Sequence, residues 1–279
     1  MPSVADLKVE LDDIVTMKFI ASAFTEASAA RLKGIKDAFQ QNKEFYEEIS
    51  HVYHLVRLAG EAQKIKNKKK APEEAKMLMV AITSNQRFYG NLNVAIMHQY
   101  LGDIEKRKTD LLVVGVTGHD YMRSMGYVHP FEKLIFVKDS PNPEETRLFL
   151  DKIRPYDTVW LYYPKFMTLV TQTVGINDIT QAANPAESVP KDEIHILFEP
   201  EYAKILDFFQ HQVRALLFLR VMLEADLSRT AARLLTMSAA EERSDELIKD
   251  KKSELRKVKT SIVNAQLLET FAGMSKWKK

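Results

Sequence analysis

Residues 200–273 read PEYAKILDFFQHQVRALLFLRVMLEADLSRTAARLLTMSAAEERSDELIKDKKSELRKVKTSIVNAQLLETFAG, and this stretch decides the fold. After Pro200 it holds no further proline and no cluster of turn formers. Apolar residues recur through Leu216, Leu219, Leu223, Leu227, Leu234 and Met237, then Ile248, Leu255 and Ile262 at heptad spacing. That pattern predicts a helix with a seam for a second helix. Around the seam lie Glu241, Glu242, Arg243, Asp245, Glu246, Lys249, Lys251, Lys252, Glu254, Arg256, Lys257 and Lys259, mixed in sign as on a coiled-coil exterior. At ~1.5 Å per residue the helix would be roughly 110 Å long, several times the diameter of a small domain. Most of it must therefore pair with another helix or enter a partner.

The other end of the chain supplies a candidate for that pairing. From about Asp6 to Lys66, apolar residues fall at helical spacing: Leu7, Leu11, Ile14, Met17, Ile20, Phe24, Leu32, Ile35 and Phe39. Gly34 and Gly60 are the interruptions. Between Ala21 and Ala30 the helix turns small, with Ala21, Ser22, Ala23, Ala27, Ser28, Ala29 and Ala30. Small side chains let a second helix approach closely, or let this one sit in a tight bore. The expected organisation is an antiparallel coiled-coil shaft of residues 1–66 and 200–279, with residues 67–199 as a globular α/β foot. That design suggests a mechanical part more than a catalyst.

The middle alternates strand and helix signals. Met77–Ile82, Leu111–Val116 and Lys133–Val137 read as strands; Asn91–Lys106, a short segment near Tyr121, and Pro143–Ile153 read as helices. Glu144 and Glu145 complement the dipole at the start of the last of these. Strands separated by helices of this length imply a mostly parallel, Rossmann-like sheet. Thr158–Tyr163 and Thr168–Val174 look like a hairpin around Pro164-Lys165-Phe166. Asn177–Lys191 reads as a polar loop, Glu193–Phe198 as a last strand, and Pro200 suits the first turn of the long helix.

Bulk composition narrows the function classes. The chain has 279 residues, room for one or two domains, with 46% hydrophobic and 28% charged residues, as in ordinary globular proteins. No apolar run approaches the ~18–20 residues of a membrane span. Asp6, Glu10, Asp12 and Asp13 are wrong for a signal or transit peptide. Zero cysteines exclude disulfides, thiolate metal sites and a cysteine nucleophile. A net charge of +2 is too balanced to argue for nucleic acid. The local exception, Lys64, Lys66, Lys68, Lys69 and Lys70, reads as a solvated linker or as a contact for an acidic partner.

No familiar chemistry appears. GxxxxGK[ST], GxGxxG, HExxH and GxSxG are all missing. Gly115-Val-Thr-Gly118 follows a strand and reads as a plain turn or, less simply, a phosphate site. His51 and His54 could share a metal at i, i+3 spacing but have no acidic third ligand, so they read as surface or structural histidines. Neither an active site nor a cofactor is expected.

Several segments together resemble one family. Thr83-Ser-Asn-Gln-Arg-Phe-Tyr-Gly-Asn-Leu-Asn93 resembles the T-[SD]-[DN]-R-G-L-C-G-G-L-N stretch of the gamma subunit of F-type ATP synthases. Tyr163-Pro-Lys-Phe166 with Gln172 resembles its Y-N-K-F hairpin, and Phe198-Glu-Pro200 its F/Y-E-P. Ala231–Met237 resembles A-A-R-M-x-A-M, and Glu246-Leu-Ile248 the E-L-I beyond it. Thr16–Phe24 aligns with T-x-K-I-T-K-A-M, and Ala27–Arg31 with V-A-A-A-K. The chain departs from the family at Arg229-Thr230, where an acidic residue is usual, at Val263–Leu267, and at Arg87-Phe-Tyr-Gly-Asn91.

The resemblance implies a central-stalk rotor subunit that does no chemistry and binds no nucleotide. It implies the alpha and beta subunits of the catalytic hexamer, the epsilon subunit and the membrane c-ring as partners, and no nucleic acid. It also implies a peripheral position on the cytoplasmic face of an energy-coupling membrane, or the matrix face in a mitochondrion. By position, Lys18, Phe24, Arg31, Lys33, Arg87, Arg233, Lys259 and Gln266 are the candidate partner contacts. Two other classes stay open: the shaft of a rotary ATPase repurposed for another task, and an α/β ligand-binding protein with a coiled-coil dimerisation element. Ligand binding near Gly115–His119 would raise the melting temperature by linkage, which separates the last class from the others.

Overall fold

The computed structural model describes residues 3–62, 76–105, 109–180 and 201–276. The expected strand at Glu193–Phe198, Pro200 and the Lys64–Lys70 cluster lie outside them. In order along the chain come α1 (Val4–Ala62), β1 (Met77–Ile82), α2 (Leu92–Ile104), β2 (Asp110–Val114), α3 (Val116–Ser124) and β3 (Glu132–Leu134). They are followed by α4 (Pro143–Ile153), β4 (Thr158–Phe166), β5 (Gln172–Asp178) and α5 (Tyr202–Lys276). Two compact units result: Met1–Ala29 with Arg233–Lys279, and Ala30–Ala232.

In the first unit the two helices pair antiparallel. Ser3 and Asp6 start α1 by capping each other: the Asp6 N–H donates to Ser3 Oγ at 3.1 Å, and the Ser3 N–H to Asp6 Oδ2 at 3.2 Å. Glu10 meets Lys251 at 2.6 Å and Lys18 meets Asp245 at 2.7 Å, so numbers rise on α1 as they fall on α5. Leu7, Ala21, Ser28, Met237 and Ser244 are buried here. Ala21 and Ser28, two turns apart, let the neighbouring backbone come close, as the small-residue run predicts. With Glu10 opposite Lys251, Val4 stands opposite about residue 257. Beyond that point α5 has no α1 beside it, and Lys259–Met274 is exposed throughout. The apolar seam expected to run through Ile262 is thus uncovered at that end.

The second unit is built on a five-stranded sheet ordered β3-β2-β1-β4-β5. The first four strands are parallel, joined by α2, α3 and α4, and β5 runs antiparallel beside β4. Alternate residues of β1 face opposite layers. Leu78, Val80 and Ile82 pack with Phe149 and Ile153 of α4, Tyr46 of α1, and Val213, Leu217, Phe218, Val221 and Met222 of α5. Met79 and Ala81 pack with Ile96, Met97 and Tyr100 of α2 and Met122 of α3. With both faces covered, the central strands read as unbroken apolar runs.

Two expected elements are displaced. Pro164-Lys165-Phe166 is the end of β4 and not a turn; the chain reverses over Met167–Thr171, and β5 starts at Gln172 instead of Thr168. The cause is local side-chain bonding: Thr168 Oγ1 accepts from the Val170 and Thr171 N–H groups, and Gln172 Nε2 donates to the Thr168 and Leu169 carbonyls. β3 stops at Leu134 because the next backbone groups are taken elsewhere. The Phe136 carbonyl accepts from Asn85 Nδ2, and the Val137 N–H donates to Glu145 Oε1.

Candidate functional site

The loop after β1 lies at the carboxyl ends of the parallel strands, where an α/β sheet usually holds a ligand. Here it is closed by its own side chains. Thr83 Oγ1 donates to the Val114 carbonyl at 2.6 Å and accepts from the Gly118 N–H at 2.9 Å. Asn85 Oδ1 accepts from the Val116 N–H at 3.0 Å, and the Ser84 carbonyl from the Thr117 N–H at 3.0 Å. The first amides of α3, those that would cradle a phosphate, are therefore occupied. Gly115 and Gly118 make room for this plug: a Cβ on Gly118 would lie 2.6 Å from Thr83 Oγ1, and Gly115 has φ +97°. Gly115-Val-Thr-Gly118 is a strand-to-helix turn fitted to Thr83.

The same loop is fastened to its surroundings. The Asp139 carboxylate accepts from the Asn85 N–H at 2.5 Å and the Tyr89 hydroxyl at 2.6 Å. The Asp139 carbonyl accepts from Arg229 Nη2 of α5 at 3.0 Å. Arg229 replaces the acidic residue the resemblance would place there, and it is almost wholly buried. A second buried polar contact joins α5 to the sheet: the Tyr163 hydroxyl donates to Glu224 Oε2 at 2.9 Å. Burial raises the Glu224 carboxyl above its ordinary value, opposed by the Tyr163 hydrogen bond and the cations of Lys165 and Arg220.

Four of the candidate contact residues have partners within the helix pair. Lys18 holds Asp245, Arg31 Nη2 lies 2.7 Å from Asp226 Oδ2, and the Arg233 guanidinium stands 5.6 Å from the centre of the Phe24 ring. Lys33, Arg87, Lys259 and Gln266 are exposed. Sequence reasoning missed the pairing of Asp245 and Asp226, because the antiparallel register that joins them to distant cations is not visible in spacing, and it missed Asp139, whose partners lie 50 and 54 residues before it. Met17, Ile20 and Phe24, which the spacing places on the apolar seam of α1, are exposed instead, together with Phe19 at 76%. On α5, Leu267, Leu268, Phe271 and Met274 are likewise exposed. Among the described residues no group of three or more His, Asp or Glu side chains could hold a metal, and no helix is long and apolar enough to cross a membrane.

A long antiparallel helix pair and a mostly parallel five-stranded α/β sheet whose phosphate position is plugged define the fold class. The family model described as ATP synthase matches residues 3–276, and the chain belongs to that family. It is 26% identical to the ATP synthase gamma chain of Christiangramia forsetii and 23% identical to that of Staphylococcus saprophyticus, each over 98% of both chains. Its fold matches a chain in the central stalk and c-ring structure of the Tetrahymena thermophila mitochondrial ATP synthase. There the TM-score is 0.60 at 19% identity, covering 79% of this chain and 99% of that one. A chain of the Euglena gracilis mitochondrial ATP synthase rotor matches with TM-score 0.52 at 18% identity, covering 87% and 99%. The chain thus belongs to the ATP synthase family and is similar over nearly its whole length to gamma chains of that family.

Proposed function

We propose that the chain carries torque without doing chemistry. Residues 1–66 and 200–279 form the shaft and 67–199 the foot. The end of the shaft enters the hexamer of alpha and beta subunits, and the foot rests on the epsilon subunit and the membrane c-ring. Ion flow turns ring and shaft together, and the asymmetric shaft biases the beta subunits through states of different nucleotide affinity. Such coupling needs a stiff element whose contacts differ between states. The protein works as a peripheral subunit on the cytoplasmic face of an energy-coupling membrane, or the matrix face in a mitochondrion.

The observation that carries this reading is the end of α5. Past about residue 257 no helix lies beside it among the described residues, yet it keeps Leu267, Leu268 and Phe271 on its surface. An apolar helix end left in water is best explained by a partner that surrounds it. In this reading Lys33, Arg87, Lys259, Gln266 and Phe24 touch partners directly, while Lys18, Arg31 and Arg233 set the helix register that presents them. Affinity purification of the tagged full-length chain from its own cells tests the proposal. Recovery of alpha, beta and epsilon subunits is expected; recovery of none of them overturns it.

A further inference from the structure

We infer that two polar contacts on α5, Glu224 with Tyr163 and Arg229 with Asp139, lock this helix against turning about its own axis within the α/β unit. They would then determine how completely torque passes between helix and sheet. The inference rests on the rotor reading above and names positioning residues within it.

The apolar contacts of α5 are plentiful but non-directional. Val213, Leu217, Phe218, Val221, Met222 and Ala225 hold it on the sheet, and burial of this kind resists separation more than it resists rotation in place. Hydrogen bonds depend steeply on angle and so oppose rotation. Residues 224 and 229 are five positions apart, which at 3.6 residues per turn places them roughly 140° apart around the helix. Two directional contacts so separated grip the helix from different sides.

Each contact has a rigid far end. Tyr163 lies in β4 opposite Gly175 of β5, and its ring fills the space there: a Cβ on Gly175 would lie 2.8 Å from it. Asp139 is fixed by Asn85 and Tyr89, and Tyr89 packs against Ala232, one turn beyond Arg229 on α5. Arg229 is 1% exposed, and its Nε and Nη1 have no hydrogen-bond partner among the described residues. A buried cation with spare donors is a costly choice for a residue that only fills space. A methionine would fill the same volume without that cost.

The test uses the complete ATPase in sealed vesicles, carrying Tyr163→Phe, Arg229→Met or both. ATP hydrolysis and ATP-driven proton uptake are measured together, with Phe149→Leu as a control for lost stability. Each substitution is expected to leave hydrolysis near wild type and to lower protons moved per ATP about twofold, with the pair losing more than either alone. The control should lower melting temperature without lowering that ratio. A double variant that keeps the wild-type ratio overturns the inference, as does a control that loses the ratio equally. Should Arg229→Met fail to fold, Tyr163→Phe alone decides by the same ratio. If wild-type vesicles do not pump at all, the rotor reading itself fails.

Discussion

Tyr163 on β4 and Glu224 on α5 meet hydroxyl to carboxylate at 2.9 Å in the interior, across 61 residues of sequence. Because burial raises the Glu224 carboxyl, the folded chain holds this proton more tightly than the unfolded chain does. The stability it contributes is full below the ordinary value of 4.5 and is lost as pH rises through the raised one. Glu224→Gln keeps an acceptor for Tyr163 and removes the charge. The variant should melt above wild type at pH 8, and its advantage should shrink toward pH 4.5. Melting curves across that range decide; a wild type that is the more stable at pH 8 refutes the burial argument.

Gly118→Ala tests the plug at the start of α3. The new methyl would meet Thr83 Oγ1 at 2.6 Å, Thr83 Cγ2 at 2.8 Å and Val113 Cγ1 at 2.8 Å. Overpacking of this kind costs about 1–3 kcal/mol. Urea denaturation should show the midpoint falling without a change of slope. No loss of stability would mean that Thr83 does not fill this turn.

Phe149→Ala tests the layer between α4 and α5. Phe149 and Phe218 stack at 4.1 Å between ring centres, and both are buried. Removing one such ring costs about 3–5 kcal/mol. Denaturant unfolding of the isolated chain should report a loss of that size, with unfolding at growth temperature as the extreme. A loss under 1 kcal/mol would contradict the packing described.

Removing residues 258–279 tests the uncovered end of α5. The beta subunits keep their catalytic groups, so ATP-driven pumping by the reconstituted complex should fall more than ATP hydrolysis does. Single substitutions at Phe24, Arg31 or Lys259 should lower pumping only modestly, since the contacts are shared over many side chains. Unchanged hydrolysis with full pumping after truncation would show that this end carries no torque.

Much of the fold was legible because it rests on period and punctuation. Met77–Ile82 and Pro143–Ile153 stand where the sequence puts them, the latter fixed by the Asn142–Glu145 capping box. The antiparallel helix pair followed from two long seams flanking one α/β segment. What was not legible depends on contacts between residues far apart in the chain. β3 lost its last residues to Asn85 and Glu145, and the reversal after Phe166 moved because Thr168 and Gln172 bond locally. Arg229 stood out only as a departure from the family pattern, since its acceptor, Asp139, is 90 residues away. The contact candidates followed from family position, and sequence could not foresee that Lys18 and Arg31 are engaged by Asp245 and Asp226.

The most direct measurement watches the chain turn. Because the sequence contains no cysteine, Val128→Cys gives one thiol, at an exposed position of the α/β unit, for attaching a gold or fluorescent probe. The complex is immobilised through its alpha and beta subunits and supplied with ATP. Rotation of the probe in one direction, at a rate that follows ATP concentration, is the result expected of a torque-carrying stalk. A probe that stays fixed on complexes that are hydrolysing ATP would contradict that account.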